Sequence, residues 1–430
     1  MRISLLAVSA TLALTASCGD KPRAAATGTP TANADNQPAQ YLYVWTGDSA
    51  EKQSDFLAVI DATPSSPNYG ALLKTVKVGV AGSHPHHTED VVPANGHLLA
   101  NGFHAGRTWL FDVSSPADPK MLAMFEDIAG FSHPHSYMRV ANGRILMTFQ
   151  YAADSTTTPN PGTGQMMAMG EHKTGGLVEM DERGTSIRSA SAADPSITDK
   201  RIYPYSVVPI SSLDRAVSTT TDMDDKNTKA TGEWVQLWRL SDLKLLRSIA
   251  LKPGPRGDEN KFTGEPRLLP DGKSVYVHTF NCGLYLVRGV ETDAPTSTFV
   301  RSFTGKNCGV PLLIGHFWIQ TVPDAHALVT LDVTDPEHPR EVSTLDVGAD
   351  EQPHWISRDS AGKRIVLNSG GAGTGNRVFI VNFDPTTGAL AMDNRFHDPG
   401  ASRPGIRFSQ RSWPPGIVST AIPHGAVFSR

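Results

Sequence analysis

From Tyr41 onward, apolar residues fall in short runs rich in β-branched and aromatic side chains. Gly, Pro, Asn and Asp separate the runs, and no long stretch carries the 3.6-residue period of an amphipathic helix. The runs repeat. His84 to Phe125 contains HPHHTEDVVP, HLLANG, TWLFDV, SSPADP and KMLAMF, and Cys308 to Val347 contains CGVPLLI, FWIQTV, LVTLDV, TDPEHP and REVSTLDV. Each stretch predicts four strands, the third ending in Asp-Val before a Pro-bounded turn. Units of this kind begin near Tyr41, His84, His133, Tyr203, Glu265, Cys308 and Pro353. Two carry turn sequences, Pro270-Asp271-Gly272 and Ser360-Ala361-Gly362, at their first connection. Seven units of about 56 residues predict an all-β fold, a seven-bladed β-propeller of four-stranded blades. The first unit is one strand short, so the segment after Trp413 is expected to complete it and close the ring. A two-domain β-sandwich would leave the matched third-strand endings unexplained.

The start of the chain reads differently. Residues 1–17 (Arg2, then apolar Ile3 to Leu14, then small residues) form an export signal, too short in its apolar part for a comfortable membrane span. Cys18 directly after the small residues resembles a lipoprotein processing site, with simple cleavage as the alternative. Residues 18–40, rich in Ala, Thr, Pro and Asn, read as a flexible tether, and 41–430 as one propeller domain. The expected location is the periplasm or cell envelope, with the membrane reached only through a lipid anchor and the chain acting as a monomer. A net charge of −4 and the lack of basic clusters argue against a nucleic-acid partner. Of three cysteines, Cys282 and Cys308 remain for an oxidising compartment, as a disulfide, as free thiols or as metal ligands.

The repeat gives the fifteen histidines positions. In an antiparallel four-stranded blade, the lead-in to the innermost strand and the connection between strands two and three share one face. His84, His86, His87, His133, His135 and His354 lie in such lead-ins, and His104, His172 and His326 in such connections. His424 sits in the closing tail, which makes ten on one face, whereas His97, His316 and His338 fall on the other. Imidazoles gathered at one channel mouth suit copper, zinc or iron. The metal candidates are His86, His87, His135 and His424, with His84, His133 and His354 as further ones. Glu89 and Asp90 are expected to orient them from behind. Glu265, Arg267, Tyr203 and Tyr205 could line the same mouth. The plain alternative for each Pro-His pair is a turn with a hydrogen-bonded imidazole. No GxSxG turn points to a hydrolase. The glycine-rich Gly370 to Gly375 reads as a connection, not a phosphate loop.

Tyr41-Leu-Tyr-Val, Asp55 to Asp61, Ser66-Pro67-Asn68-Tyr69, His86-His87, Pro134-His135-Ser136, Asn142 to Leu146 and Asp359 to Val366 together resemble the selenium-binding protein family, whose bacterial members include methanethiol oxidases. The resemblance implies a seven-bladed propeller with histidine-bound copper, held by His86 or His87, His135 and His424. It also implies oxidation of a small thiol, methanethiol, with O2 and water to formaldehyde, hydrogen sulfide and hydrogen peroxide. The chain departs from the family after the His-His pair, where Thr88-Glu89-Asp90 stands with no cysteine nearby, so selenium binding there is not expected. The Asp-Val-Pro repeats also resemble surface propellers, which keeps open a non-catalytic binding or scaffolding role. Metal storage or delivery is a third reading.

Overall fold

The computed structural model describes residues 38–140, 143–153, 172–197, 201–223, 232–369, 376–414 and 416–430. The export signal, Cys18, most of the tether and Gly370 to Gly375 lie outside the described residues. Seven antiparallel sheets, each built on four strands in up-and-down order, surround a central channel; the seventh adds a short fifth strand, Ile406–Arg407, and Arg411–Trp413 pairs with Ile417–Ser419 in a separate ribbon. Among the described residues the helices are two short 3-10 turns, Ser211–Leu213 and Pro323–Ala325.

The innermost strands of blades two to seven are Pro85–Thr88, Phe131–Arg139, Pro204–Ile210, Thr263–Leu268, Pro311–Ile314 and Pro353–Arg358. Their starts match, to within a few residues, the six unit starts read from His84 to Pro353, and Tyr41 opens the second strand of blade one. In blade one the innermost strand is the C-terminal Ala421–Phe428, paired with Tyr41–Asp48 from Leu42↔Phe428 to Asp48↔Ala421. The ring is thus closed by the two ends of the domain.

Each sheet is covered on both faces by its neighbours, so inner strands such as Phe56–Asp61 are buried along their whole length and show no polar alternation. The core divides into clusters between adjacent blades. Tyr43, Trp45, Leu57 and Val59 meet Leu98, Trp109 and Phe111 between blades one and two, and equivalent clusters fill the other junctions. The repeated Asp-Val-Pro turn has a physical role here. Asp112 and Asp332 accept from the backbone N–H of Ser114 (2.9 Å) and Thr334 (3.0 Å), capping the turn. The turn then offers a proline carbonyl to the preceding blade: Tyr43 donates to Pro116 and Tyr276 to Pro336. The sequence repeat is therefore an inter-blade latch. Cys282 and Cys308 form a disulfide, with Cα atoms 5.1 Å apart, that ties the outer turn of blade five to the lead-in of blade six.

Candidate metal centre

The innermost strands carry prolines, which cannot donate to a sheet ladder and are confined to edges and bulges. Here they mark bulges. Pairing slips between Pro85 and Thr88, between Pro134 and Tyr137, between Pro204 and Val207, and between Pro353 and Trp355. In the closing strand the slip falls opposite Val44 to Thr46, where His424 and Gly425 sit. A bulge sets two residues against one and re-aims their side chains. The residues so placed are His86-His87, His135-Ser136, Tyr205-Ser206, His354 and His424. Local chain geometry thus points imidazoles from several blades at one place on the channel axis.

The result is a compact imidazole group. His86 and His87 stack with ring centroids 4.3 Å apart, and His135 lies 4.8 and 4.4 Å from them. One nitrogen from each of the three lies within 4.8 Å of the others. His424 packs on His86 at 4.2 Å, and His354 on His424 at 4.8 Å. His135 Nδ1 lies 2.7 Å from the Tyr205 carbonyl, so Nδ1 carries the proton and Nε2 keeps its lone pair. His135 Nε2, His87 Nε2, His86 Nδ1 and His424 Nδ1 are buried without a hydrogen-bond partner. Buried polar atoms rarely stay unpaired, so unpaired nitrogens on four packed imidazoles, three of them clustered, ask for a ligand. Burial, reinforced for His86, His87 and His424 by neighbouring imidazoles, lowers all four basicities, His135 to about 3. The rings are therefore neutral at ordinary pH, the form that binds a metal ion. The donor set fits an imidazole-preferring transition ion.

Supporting groups come partly from where the sequence pointed. Glu265 Oε1 is 3.9 Å from His87 Nδ1, and Ser136 Oγ is 3.4 Å from the same nitrogen. Glu265 Oε2 accepts from Ser206 Oγ (2.5 Å) and Arg267 (3.0 Å), and Arg267 reaches on to Asp90 (3.2 Å). Burial raises the Glu265 carboxyl pKa, against the pull of Arg267. Glu89 departs from the expected orienting role. Its carboxylate accepts from Arg139 (2.6 Å) and the Leu99 N–H (2.9 Å), away from the imidazoles, because the bulge breaks the parity that adjacency in sequence implied. His133 also turns aside, packing on Phe103 (5.6 Å), Tyr151 (5.1 Å) and His172 (6.3 Å). Tyr203 belongs to that neighbourhood, 5.2 Å from Tyr151. His326 Nδ1 donates to the Glu351 carbonyl at 2.6 Å. His97, placed on the other face, pairs with Glu182 at 2.7 Å.

Three residues that the sequence did not single out belong to the centre. Asn101 accepts from His87 N–H (2.7 Å) and donates to the Pro134 carbonyl (2.7 Å), clamping two ligand-bearing strands. Asn368 accepts from Trp355 N–H (3.0 Å) and donates to the His424 carbonyl. His278 is buried on the second strand of blade five, its Nδ1 3.4 Å from the Glu265 carbonyl, and so backs the strand that carries Glu265. A cavity of about 660 Å³ opens onto His86, His424, His84, His104, His354 and Tyr205.

No protein-family model matches the chain. A methanethiol oxidase from a Hyphomicrobium species is 26% identical over 358 residues, 77% of this chain and 75% of the relative. Selenium-binding protein 2 of Arabidopsis thaliana is 26% identical over 124 residues, 25% of this chain and 24% of that protein. The solved structure of a hypothetical selenium-binding protein from Sulfolobus tokodaii has a TM-score of 0.68 at 15% identity, covering 91% of this chain and 94% of that one. The periplasmic gluconolactonase of Pseudomonas aeruginosa shares the fold at a TM-score of 0.57 and 13% identity, over 91% and 99% of the two chains. Over three quarters of its sequence the chain is thus remotely similar to a methanethiol oxidase, and it shares its ring fold with a selenium-binding protein.

Proposed function

We propose that His86, His87, His135 and His424 hold a copper ion and that the protein oxidises a small thiol with O2. For methanethiol, thiol, O2 and water give formaldehyde, hydrogen sulfide and hydrogen peroxide, a balanced two-electron reduction of oxygen. The observation that carries the reading is the convergence of the His86, His87 and His135 nitrogens within 4.8 Å, with His424 packed on His86 and an unpaired buried nitrogen on each of the four rings. Zinc or iron would also suit imidazoles; copper is preferred because the thiol reaction requires redox chemistry, which zinc lacks, and because nitrogen donors bind copper more tightly than iron. Bound there, the ion would supply electron transfer between thiol and oxygen.

The chain's own groups do the rest. The Tyr205 carbonyl fixes the His135 tautomer, and Ser136 and Glu265 flank the His87 Nδ1–H side. Arg267 and Ser206 hold Glu265 in place. Trp355, 4.9 Å from His87, walls the buried side and leaves the cavity as the approach for thiol. We also propose export to the periplasm or cell envelope with anchoring through Cys18, and action as a monomer. The Cys282–Cys308 disulfide supports an oxidising compartment.

The test is metal content. Protein purified from copper-replete cells is expected to hold stoichiometric copper, and His87→Ala and His135→Ala to lose it. The loaded protein is expected to convert methanethiol with release of sulfide and peroxide. A parent protein without stoichiometric metal overturns the reading. Copper without turnover leaves a binding protein and removes the enzyme.

A further inference from the structure

His84 and His104 stand outside the buried group and are not needed to complete it. His84 immediately precedes Pro85, and its backbone sits in the left-handed region at φ 55°. That conformation is uncommon for a side-chain-bearing residue, and a following proline disfavours it further by pushing its neighbour toward extended geometry. Surrounding structure holds it there. Phe103 N–H donates to the His84 carbonyl at 3.0 Å, and Ala105 N–H to the Ser83 carbonyl at 3.3 Å. The strand lead-in and the turn bearing His104 are therefore one rigid piece, and strain kept in such a piece points to use.

That piece sets two imidazoles edge to edge. His84 Nδ1 and His104 Nε2 are hydrogen-bonded at 3.0 Å, with ring centroids 4.1 Å apart, and an ion binding both would take the place of the shared proton. Two nitrogens bound to one ion at 2.0–2.1 Å, at angles between square and tetrahedral, are about 2.9–3.4 Å apart. The pair thus already has the spacing of neighbouring ligands on one ion. Both residues line the cavity, and His84 is exposed to it. His86, the outermost of the buried imidazoles on this side, is 5.9 Å from His84 between ring centroids. A donor pair with open positions facing solvent suits a site that takes up an ion and gives it up again.

We propose that His84 and His104 form a second metal site at the cavity mouth, which captures a borderline transition ion such as copper(II) and passes it to the buried imidazoles. Capture stands on the pair itself; transfer rests on the reading of the buried centre as a metal site.

Equilibrium dialysis of metal-free protein against micromolar copper(II) tests both parts. His84→Asn suits the left-handed backbone, because asparagine tolerates it. The parent is expected to hold about two ions, and His84→Asn/His104→Asn and His86→Ala/His135→Ala about one each. Filling of the buried centre from one equivalent of copper is expected to be roughly tenfold slower in the mouth variant. Should the double mouth variant fail to fold, His104→Asn alone, at a partly exposed turn, is read in the same way. A mouth variant that binds as much copper as the parent overturns the site. So does a buried-centre variant that binds none. An unchanged filling rate overturns the transfer. A buried-centre variant that keeps all the parent's copper sinks the buried reading and leaves the mouth site standing.

Discussion

At the residue scale, the centre depends on side chains that never touch the ligand position. Asn101 is buried and spends both ends of its amide on backbone: the His87 N–H and the Pro134 carbonyl. Leucine has nearly the same size but would leave both backbone groups buried and unpaired. Each such loss costs about 1–3 kcal/mol, so Asn101→Leu is expected to destabilise the protein by about 2–6 kcal/mol. It should also weaken metal binding, because the strands carrying His87 and His135 lose their common tie. Denaturant unfolding and metal titration check the two effects separately. The histidines were legible in the sequence because Pro-His wording recurs at strand starts. Asn101, Asn368 and His278 were not, because mid-strand in LLANG, VLNSG and VYVHT they read as ordinary β positions. Glu89 was misplaced for the opposite reason. It lies near His87 along the chain, but the bulge turns its carboxylate to Arg139 and the Leu99 N–H.

At the element scale, the bulged inner strand is the working unit. Pro85, Pro134, Pro204, Pro353 and Pro423 each give up a ladder hydrogen bond, and the residue that follows turns into the channel. Packing between inner strands is tight at the closure. A Cβ on Gly425 would come within 2.6 Å of the Thr88 backbone nitrogen, so this position beside His424 admits no side chain without moving a strand. Alanine there is expected to lower both stability and metal occupancy. The Asp-Val-Pro turns were visible as a repeat, but their latch from tyrosine to proline carbonyl was not, since it joins different blades. The Cys282–Cys308 bridge is an element of another kind, with both cysteines inside the core between blades five and six, apart from the imidazoles. Closing a separation of 26 residues stabilises by about 3 kcal/mol on the chain-entropy account. Cys282→Ser/Cys308→Ser is therefore expected to lose about that much in urea unfolding while metal content stays at the parent level.

At the scale of the whole molecule, the imidazole group sits where the ring is closed. His424 comes from the strand that completes blade one, His86 and His87 from blade two, His135 from blade three and His354 from blade seven. Seven blades were legible because a sheet packed on both faces needs the same short apolar runs in every unit. The closing strand was foreseen because the first unit lacked one. This coupling of site and closure has a pH consequence. Burial lowers His133, His135 and His278 from 6.5 to about 3, and His354 to about 4. Between those values and 6.5 the native state binds fewer protons than the unfolded chain, so unfolding takes up protons and stability falls as the pH drops. Each histidine contributes up to about 1.4 kcal/mol per pH unit across that window, and four together up to about 5.6 kcal/mol per pH unit. Total stabilities of about 5–15 kcal/mol cannot absorb much of that. Metal-free protein is expected to keep its thermal midpoint from pH 8 to 7 and to lose it steeply between pH 6 and 5. Because His424, likewise held neutral by burial, stands in the closing strand with His354 packed on it, amide exchange in Ala421–Phe428 should rise before exchange in the second strands of blades four and six. A midpoint flat down to pH 5, or exchange that rises evenly around the ring, would show that the neutral imidazoles do not govern the closure.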